Sequence, residues 1–133
     1  MTHRIPYAAA GILAAALVLA ATPASAKGVM DIVTPARPVR AGQTIRVSGA
    51  GEDDAARFLR ACVQERGGAH DAWHVVGCGR TVTAGAGATV ETGVRPQHPG
   101  ALQLRGVLYG LDDTADTTPD ELRTSPVVTV HVH

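Results

Sequence analysis

The sequence predicts an all-β fold: an antiparallel sandwich or barrel of about seven strands with one disulfide, after a cleaved leader. Three observations predict it. Short apolar runs are separated by glycine, proline and acidic residues, several runs show the two-residue period of a half-buried strand, and the chain holds two cysteines. The candidate strands are Val29–Val33, Thr44–Ser48, Trp73–Val76, Arg80–Thr83, Ala88–Val94, Leu102–Leu111 and Val127–Val132.

Residues 1–26 are predicted to be a secretory signal peptide. Arg4 precedes an apolar run from Ala8 to Ala21, and the small residues Ala24-Ser25-Ala26 form a cleavage site before Lys27. The apolar run is too short for a comfortable membrane span. We therefore expect one mature domain, residues 27–133, that is secreted to the extracellular space and has no membrane contact after cleavage.

Alternating apolar residues predict which face of several strands is buried. Ile45 alternates with Val47, and the same two-residue period runs through Ala88–Val94 and from Val128 to Val132. Successive side chains of a strand point to opposite faces, so each of these runs can turn one face to a shared core.

The segment from Gly51 to Gly67 fits two kinds of secondary structure. Several apolar residues fall at helical spacing, and Gly67 could end a helix. Arg57–Gln64 also fits a strand, with Leu59, Ala61 and Val63 on one face. We expect the strand, because the surrounding sequence is β in character.

Composition argues against a nucleic-acid or membrane partner. The chain has twelve basic and twelve acidic residues, and loss of Arg4 with the leader leaves one more acid than base. Three aromatic residues remain after the leader, fewer than stacking platforms for bases or sugars normally use. These three, Phe58, Trp73 and Tyr109, are the candidate ligand-binding side chains.

The stretch Cys62-x7-His70-x3-His74-x3-Cys78 offers four potential zinc ligands. Structural zinc sites usually bring two cysteines two to four residues apart, and that close pair is missing here. Export also favours oxidation of thiols. We therefore predict a Cys62–Cys78 disulfide rather than a metal or redox site.

Two other segments suggest metal binding more weakly. His131 and His133 fall on the same face of the last predicted strand and could share a metal ion, although a polar outer face explains them as well. The acidic segment from Leu111 to Leu122 departs from an EF-hand loop, since Thr117 stands where glycine is required and Arg123 where a bidentate glutamate is required. No cofactor is predicted.

Catalytic motifs are missing from the sequence. Residues 27–133 contain two serines, Ser48 and Ser125, and neither lies in a G-x-S-x-G motif. Gly85-Ala86-Gly87 lacks the lysine of a phosphate-binding loop. We expect a protein that is not an enzyme.

The stretch Val33-Thr34-Pro35, followed by AGQTIRVSGAG from Ala41 to Gly51, resembles the first strands of the neocarzinostatin family. Those are small secreted actinomycete proteins with a seven-stranded immunoglobulin-like sandwich that carry an enediyne chromophore. Cys62 and Cys78 resemble the family's first disulfide, but its second cysteine pair has no counterpart after Tyr109. The resemblance therefore implies a secreted immunoglobulin-like sandwich without catalysis, and it does not establish chromophore carriage.

The leading functional hypothesis is a secreted binding domain. Its partner would be a small apolar ligand, if the aromatic residues line a cleft, or an extracellular protein or envelope component, if they lie on a flat surface. The connections Glu65–Ala72 and Asp112–Ser125 are candidate contact loops. Two alternatives are an extracellular metal-handling protein using His70, His74, His131 and His133, and a protease inhibitor presenting Asp112–Ser125.

Overall fold

A computed structural model describes residues 28–133, so the predicted signal peptide and its cleavage site lie outside the described residues. In this part of the chain, a 3-10 helix at Ala84–Ala86 is the single helical element. No helix there has the length and apolar character to cross a membrane. The strands are β1 (Gly28–Val33), β2 (Ile45–Asp53), β3 (Phe58–Arg66), β4 (His74–Cys78), β5 (Val82–Thr83), β6 (Ala88–Val94), β7 (Gly100–Leu111), β8 (Asp120–Thr124) and β9 (Val128–Val132).

Two antiparallel sheets form the fold. The smaller sheet has the order β1-β2-β6. The larger sheet has the order β4-β3-β7-β8, and it also includes β5, which pairs with β3, and β9, which pairs with β7. The prediction of an all-β antiparallel sandwich is confirmed, with nine strands in the described residues instead of about seven.

The core between the sheets is aliphatic, as the alternating runs predict. Met30, Ile45, Val47 and Val90 point inward from the smaller sheet, and each is at most 4% exposed. The larger sheet supplies Leu59, Ala61, Val63, Leu104 and Leu108, all fully buried. Burial of this apolar area is the main stabilising contribution, on the order of 25 cal/mol for each Å² removed from water.

The ambiguous segment is β structure, as expected. β2 continues to Asp53 and β3 begins at Phe58, and Leu59, Ala61 and Val63 face the core together. β3 lies in the middle of the larger sheet and pairs with β7 from Phe58 opposite Leu111 to Arg66 opposite Gln103. Backbone pairing on both sides of β3 outweighs the helical spacing of its apolar residues.

The predicted connection Asp112–Ser125 is wrong in its second half, because β8 occupies Asp120–Thr124. This strand has one partner, β7, and only Leu122 packs against the core. An edge strand of this kind needs no alternating apolar residues, so its sequence resembles a loop. The predicted connection Glu65–Ala72 also begins too early, since β3 continues to Arg66.

Two glycines allow β4 and the residues after it to approach the smaller sheet closely. A Cβ atom on Gly77 would collide with the Thr92 side chain, and one on Gly79 would collide with the backbone carbonyl of Thr89. The Gly79 amide donates a hydrogen bond to the Ala61 carbonyl oxygen at 2.9 Å, which fixes the backbone there. Glycine leaves room for the Thr92 side chain at the first position and for the backbone of Thr89 at the second.

The predicted disulfide between Cys62 and Cys78 is present. These residues lie opposite each other on β3 and β4, with their Cα atoms 4.0 Å apart. Cys62 is buried but does not belong to the core cluster, because it points to the outer face of the larger sheet. The bond therefore joins two strands of one sheet.

Candidate binding face on the six-stranded sheet

The outer face of the larger sheet carries side chains of an unusual kind for a solvent-facing surface. On β3, the residues that alternate with the core positions are Phe58, Arg60, Cys62, Gln64 and Arg66. The register places each of them opposite an outward residue of β7, in the order Leu111, Tyr109, Val107, Arg105 and Gln103. We call this surface, together with Trp73, the arginine–aromatic face.

All three aromatic residues of the described chain lie on this face. Phe58 and Tyr109 point outward from β3 and β7, and Trp73, just before β4, contacts arginines of the same face. Each of the three is partly exposed, and none belongs to the core cluster. The sequence names these three residues as ligand-binding candidates, and the structure brings them to one surface.

A chain of hydrogen bonds runs across the face from Tyr109. The Gln64 amide nitrogen donates to the Tyr109 hydroxyl at 3.0 Å, and the Gln64 amide oxygen accepts from Arg105 Nε at 2.8 Å. Gln64 is 7% exposed, so both ends of its buried amide are satisfied by these bonds. This glutamine fixes the positions of the tyrosine and the arginine.

Two arginines lie over the indole ring of Trp73. The guanidinium carbon of Arg66 is 4.2 Å from the ring centroid, and that of Arg105 is 4.4 Å away. Arg66 Nε also donates to the Gln103 amide oxygen at 2.6 Å. Both guanidinium groups are therefore held in place by a glutamine oxygen and an aromatic ring, at distances where cation–π attraction is effective.

A third arginine on the face has an unsatisfied nitrogen. Arg60 lies opposite Tyr109, and its Nε is buried without a hydrogen-bond partner among the described residues. Buried donors of this kind are rare in folded proteins, and leaving one unpaired costs roughly 1–3 kcal/mol. The unpaired Nε of Arg60 is thus an energetic cost that this surface carries.

Carboxylates do not neutralise these three arginines in residues 28–133. The ion pairs found there are elsewhere: Arg46 with Glu91 on the outer side of the smaller sheet, and Arg123 with Asp53 at 2.8 Å. Arg60, Arg66 and Arg105 have no such partner within 4.0 Å in that part of the chain. The face is cationic although the whole chain carries no net charge.

Three apolar residues of the arginine–aromatic face are buried, which shows that the longer side chains around them form a covering layer. Val107 and Leu111 are fully buried, and Cys62 is 1% exposed, yet all three point away from the core between the sheets. Along β7, Val107 is flanked on its own face by Arg105 and Tyr109. The side chains of the face therefore cover an apolar floor.

A cavity of about 360 Å³ lies at one end of the sandwich. Its lining combines charged and imidazole groups, such as Glu65, Arg66 and His98, with apolar residues such as Pro96 and Leu102. None of the three aromatic residues lines this cavity, nor do they line the groove beside residues 34–38.

The predicted histidine pair lies on a groove. His131 points outward from β9, His133 follows the end of that strand, and both line a groove of about 440 Å³ beside residues 34–38. His70 is exposed in the β3–β4 connection, away from that groove. In residues 28–133, no three His, Cys, Asp or Glu side chains are grouped so that they could hold a metal ion.

The acidic connection before β8 folds on itself through Asp116. The carboxylate of Asp116 accepts hydrogen bonds from the amides of Asp112 and Thr118, at 3.1 and 2.9 Å. These bonds, first the one from Asp112, hold the pKa of Asp116 below its usual value. The Asp116 oxygens are thus used to shape the loop at the Leu111 end of the face.

Sequence reasoning missed the polar half of the face. Arg60, Gln64, Arg66 and Arg105 were not singled out, because alternation gives the face of each strand but not its partner or register. One sequence signal could have identified this surface. Arg and Gln recur at alternate positions near Phe58 and Tyr109, in the segments that form β3 and β7.

Comparison with solved structures supports the fold. The CARDB domain of a Pyrococcus furiosus protein, crystallised in complex with di-metal ions, aligns with a TM-score of 0.53 at 13% identity, covering 79% of this chain and 91% of that one. A solution NMR structure of the same domain has a TM-score of 0.49 at 12% identity, covering 80% of this chain and 94% of the domain. The likeness to the crystal structure supports an immunoglobulin-like fold and does not point to the neocarzinostatin family. No protein-family model and no curated protein matches the chain.

Proposed function

We propose that this protein is a secreted, non-enzymatic binding domain that contacts a macromolecular partner through the arginine–aromatic face. The observation that carries the proposal is that Phe58, Trp73 and Tyr109, all the aromatic residues of the described chain, share one outer sheet face with three arginines that no carboxylate neutralises. Trp, Tyr and Arg are the residue types that dominate the energetics of protein interfaces.

The position of the aromatic residues outside the two described cavities favours a macromolecular partner over a small apolar ligand. Small-molecule sites are concave and enclose most of their ligand, whereas the aromatic residues here line neither cavity. Buried apolar residues of the face lie beneath arginine, glutamine and tyrosine side chains that are hydrogen-bonded to one another. That arrangement is typical of surfaces that dock another large molecule.

The positions of the two serines support a role without catalysis. The Ser125 hydroxyl accepts a hydrogen bond from the Gly106 amide at 2.7 Å and donates to the Pro126 carbonyl at 3.0 Å, so it connects strands. Ser48 is exposed on the outer side of β2, away from any histidine in the described pairings. Secretion is supported by the leader pattern of residues 1–26 together with the Cys62–Cys78 disulfide.

The proposal is tested by affinity capture with a matched pair of variants. Mature protein, residues 27–133, is immobilised as wild type, as Trp73→Ala and as Arg46→Ala, and exposed to envelope and culture-medium fractions of the producing organism. Arg46 lies on the opposite sheet and is 74% exposed in its side chain, so its variant controls for loss of a surface arginine. A partner retained by wild type and Arg46→Ala but lost by Trp73→Ala supports the face. Equal retention by both variants contradicts it.

A further inference from the structure

We infer that the partner presents an acidic polypeptide segment, extended along β3 and β7, whose carboxylates pair with Arg60, Arg66 and Arg105. This inference rests on the proposed function and names the chemistry of the partner.

The first step is the charge of the face. Arg66 and Arg105 meet over Trp73, Arg60 lies farther along the same face of β3, and none of the three pairs with a carboxylate in residues 28–133. Arginine presents a planar fork of donors that matches a carboxylate with two parallel hydrogen bonds. An incoming carboxylate therefore supplies the counter-charge and the geometry that the described part of the chain lacks.

The second step is preorganisation. Arg66 and Arg105 use their Nε atoms to donate to glutamine oxygens and rest on Trp73, and this leaves their terminal nitrogens for a partner. Side chains already held in the bound geometry lose less conformational entropy on association. The glutamines and the indole thus raise affinity without touching the partner.

The third step is the unsatisfied nitrogen. Arg60 Nε is buried without an acceptor among the described residues, and it lies on the same face two rows from Gln64. Because Nε is buried, a partner's carboxylate would pair with the terminal nitrogens of Arg60, which present the planar fork of donors. Arg60 is thus an attachment point distinct from the Trp73 cluster.

The spacing of these groups sets the form of the segment. Arg60 and Arg66 are six residues apart on one strand, which corresponds to roughly 20 Å at about 3.3 Å per residue. An extended peptide places alternate side chains on one side at roughly 7 Å intervals, so acidic residues at every second position match the rows of the face.

The surroundings favour a peptide over a uniformly charged polyanion. Glu121 lies opposite Tyr109, and the acidic connection from Asp112 to Asp120 borders the Leu111 end of the face. A nucleic acid or sulfated glycan lying along β3 and β7 would bring its charges against this acidic end. A peptide can place neutral or basic residues there, so its sequence can follow the charge pattern.

Calorimetric titration of the mature protein tests the inference. The probes are a peptide with glutamate at alternate positions, the same peptide with glutamine, a single-stranded oligonucleotide and a heparin fragment. We expect the glutamate peptide to bind and the glutamine peptide to bind at least about tenfold more weakly, because the glutamine peptide cannot form charge-assisted hydrogen bonds with the arginines. Tighter binding of the oligonucleotide or heparin overturns the assignment to a peptide.

Variants separate charge from geometry. Arg105→Gln should weaken binding of the glutamate peptide about tenfold, Arg105→Lys should restore only part of it because the planar fork is lost, and Arg46→Gln should bind as wild type. Circular dichroism checks that each variant is folded. If Arg105→Gln is not, Arg66→Gln provides the same test of the charge. Equal affinity for the glutamate and glutamine peptides shows the inference to be wrong. If a captured partner still depends on Trp73 in that case, the proposed function stands.

Discussion

The guanidinium carbon of Arg105, on β7, lies 4.4 Å from the centroid of the Trp73 indole ring, although β3 lies between β7 and β4 in the sheet. The indole therefore reaches across β3, where Arg66 also lies against it. One aromatic side chain thus connects three neighbouring strands on the outside of the sheet.

Replacing this ring should affect stability modestly. Trp73→Ala removes two cation–π contacts, each contributing about 0.5–1 kcal/mol at a partly exposed site, so we expect the free energy of unfolding to fall by about 1–2 kcal/mol. Urea denaturation followed by far-UV circular dichroism measures it. Val75→Ala, at an exposed position of β4, is the control and should change stability by less than about 0.5 kcal/mol. Equal effects of the two variants would contradict the ring's bridging role.

Gln64 and Tyr109 should be energetically coupled. Tyr109→Phe removes the hydroxyl that accepts from the Gln64 amide, and Gln64→Met removes both bonds of the glutamine. We expect losses of about 1 and about 2 kcal/mol, with a coupling energy of at least about 0.5 kcal/mol in a double-mutant cycle. Strictly additive losses would show that the hydrogen bond contributes nothing. Thermal unfolding of the four proteins gives the answer.

Loss of the disulfide should destabilise the whole domain. Cys62 and Cys78 are 16 residues apart in sequence, and closing a loop of that length contributes about 3 kcal/mol on the chain-entropy estimate. We expect a loss of about this size for the double variant Cys62→Ala/Cys78→Ala. Thiol titration of the native protein is the companion measurement, and we expect no free thiol in residues 28–133. Two reactive thiols would contradict the bond.

The Asp53–Arg123 pair should make stability sensitive to acid. Burial raises the pKa of Asp53, but the hydrogen bonds from Arg123 and the Ala55 amide and the Arg123 charge together lower it below its usual value. The folded state therefore binds this proton less readily than the unfolded state, whose aspartates have a pKa of about 3.9. The contribution is fully present above about pH 4 and is lost as the pH falls through the folded pKa.

Asp53→Asn tests this dependence. The variant should be less stable than wild type at pH 6, and the difference should shrink towards pH 2, in melting temperatures measured across that range. Asp31→Asn, on the solvent-facing side of β1, should follow the wild-type profile. A constant difference between Asp53→Asn and wild type at every pH would show that the charge of Asp53 does not matter.

Gly79 should tolerate no side chain. A Cβ atom there would collide with the Thr89 backbone carbonyl, and backbone cannot move aside as a flexible side chain can. We expect Gly79→Ala to lower the free energy of unfolding by about 1–3 kcal/mol, as overpacking does. The matched variant is Gly85→Ala, where no atom lies within 4 Å of the added methyl group. If both variants unfold at the same urea concentration, Gly79 does not lie as close to the Thr89 backbone as described.

Local patterns predicted most of the fold, because burial dictates them. The two-residue period of Val128, Val130 and Val132 corresponds to burial of Val130 and Val132, and the stretch Ala88–Val94 is a strand with those bounds. β8 was not predicted, because an edge strand with a single core residue, Leu122, carries no period. Strand order and register depend on contacts between distant segments, which a local pattern does not record.

The same limit applies to the binding face. Phe58, Trp73 and Tyr109 could be chosen from the sequence because aromatic residues are rare in this chain. Arg105 could not, since its position over Trp73 depends on β7 pairing with β3 and not with another strand. The sequence therefore identifies the rare aromatic residues, while the register determines which side chains lie beside them.

The placement of every described aromatic residue outside the core also determines what optical methods observe. Near-ultraviolet circular dichroism arises from aromatic side chains and disulfides in fixed surroundings, and here both belong to one outer face. The aliphatic interior of Leu59, Val63 and Leu108 gives no such signal. A loss of that spectrum with intact far-ultraviolet signal therefore reports that the face has become mobile, and a molten globule has to be identified by a measurement of core packing instead.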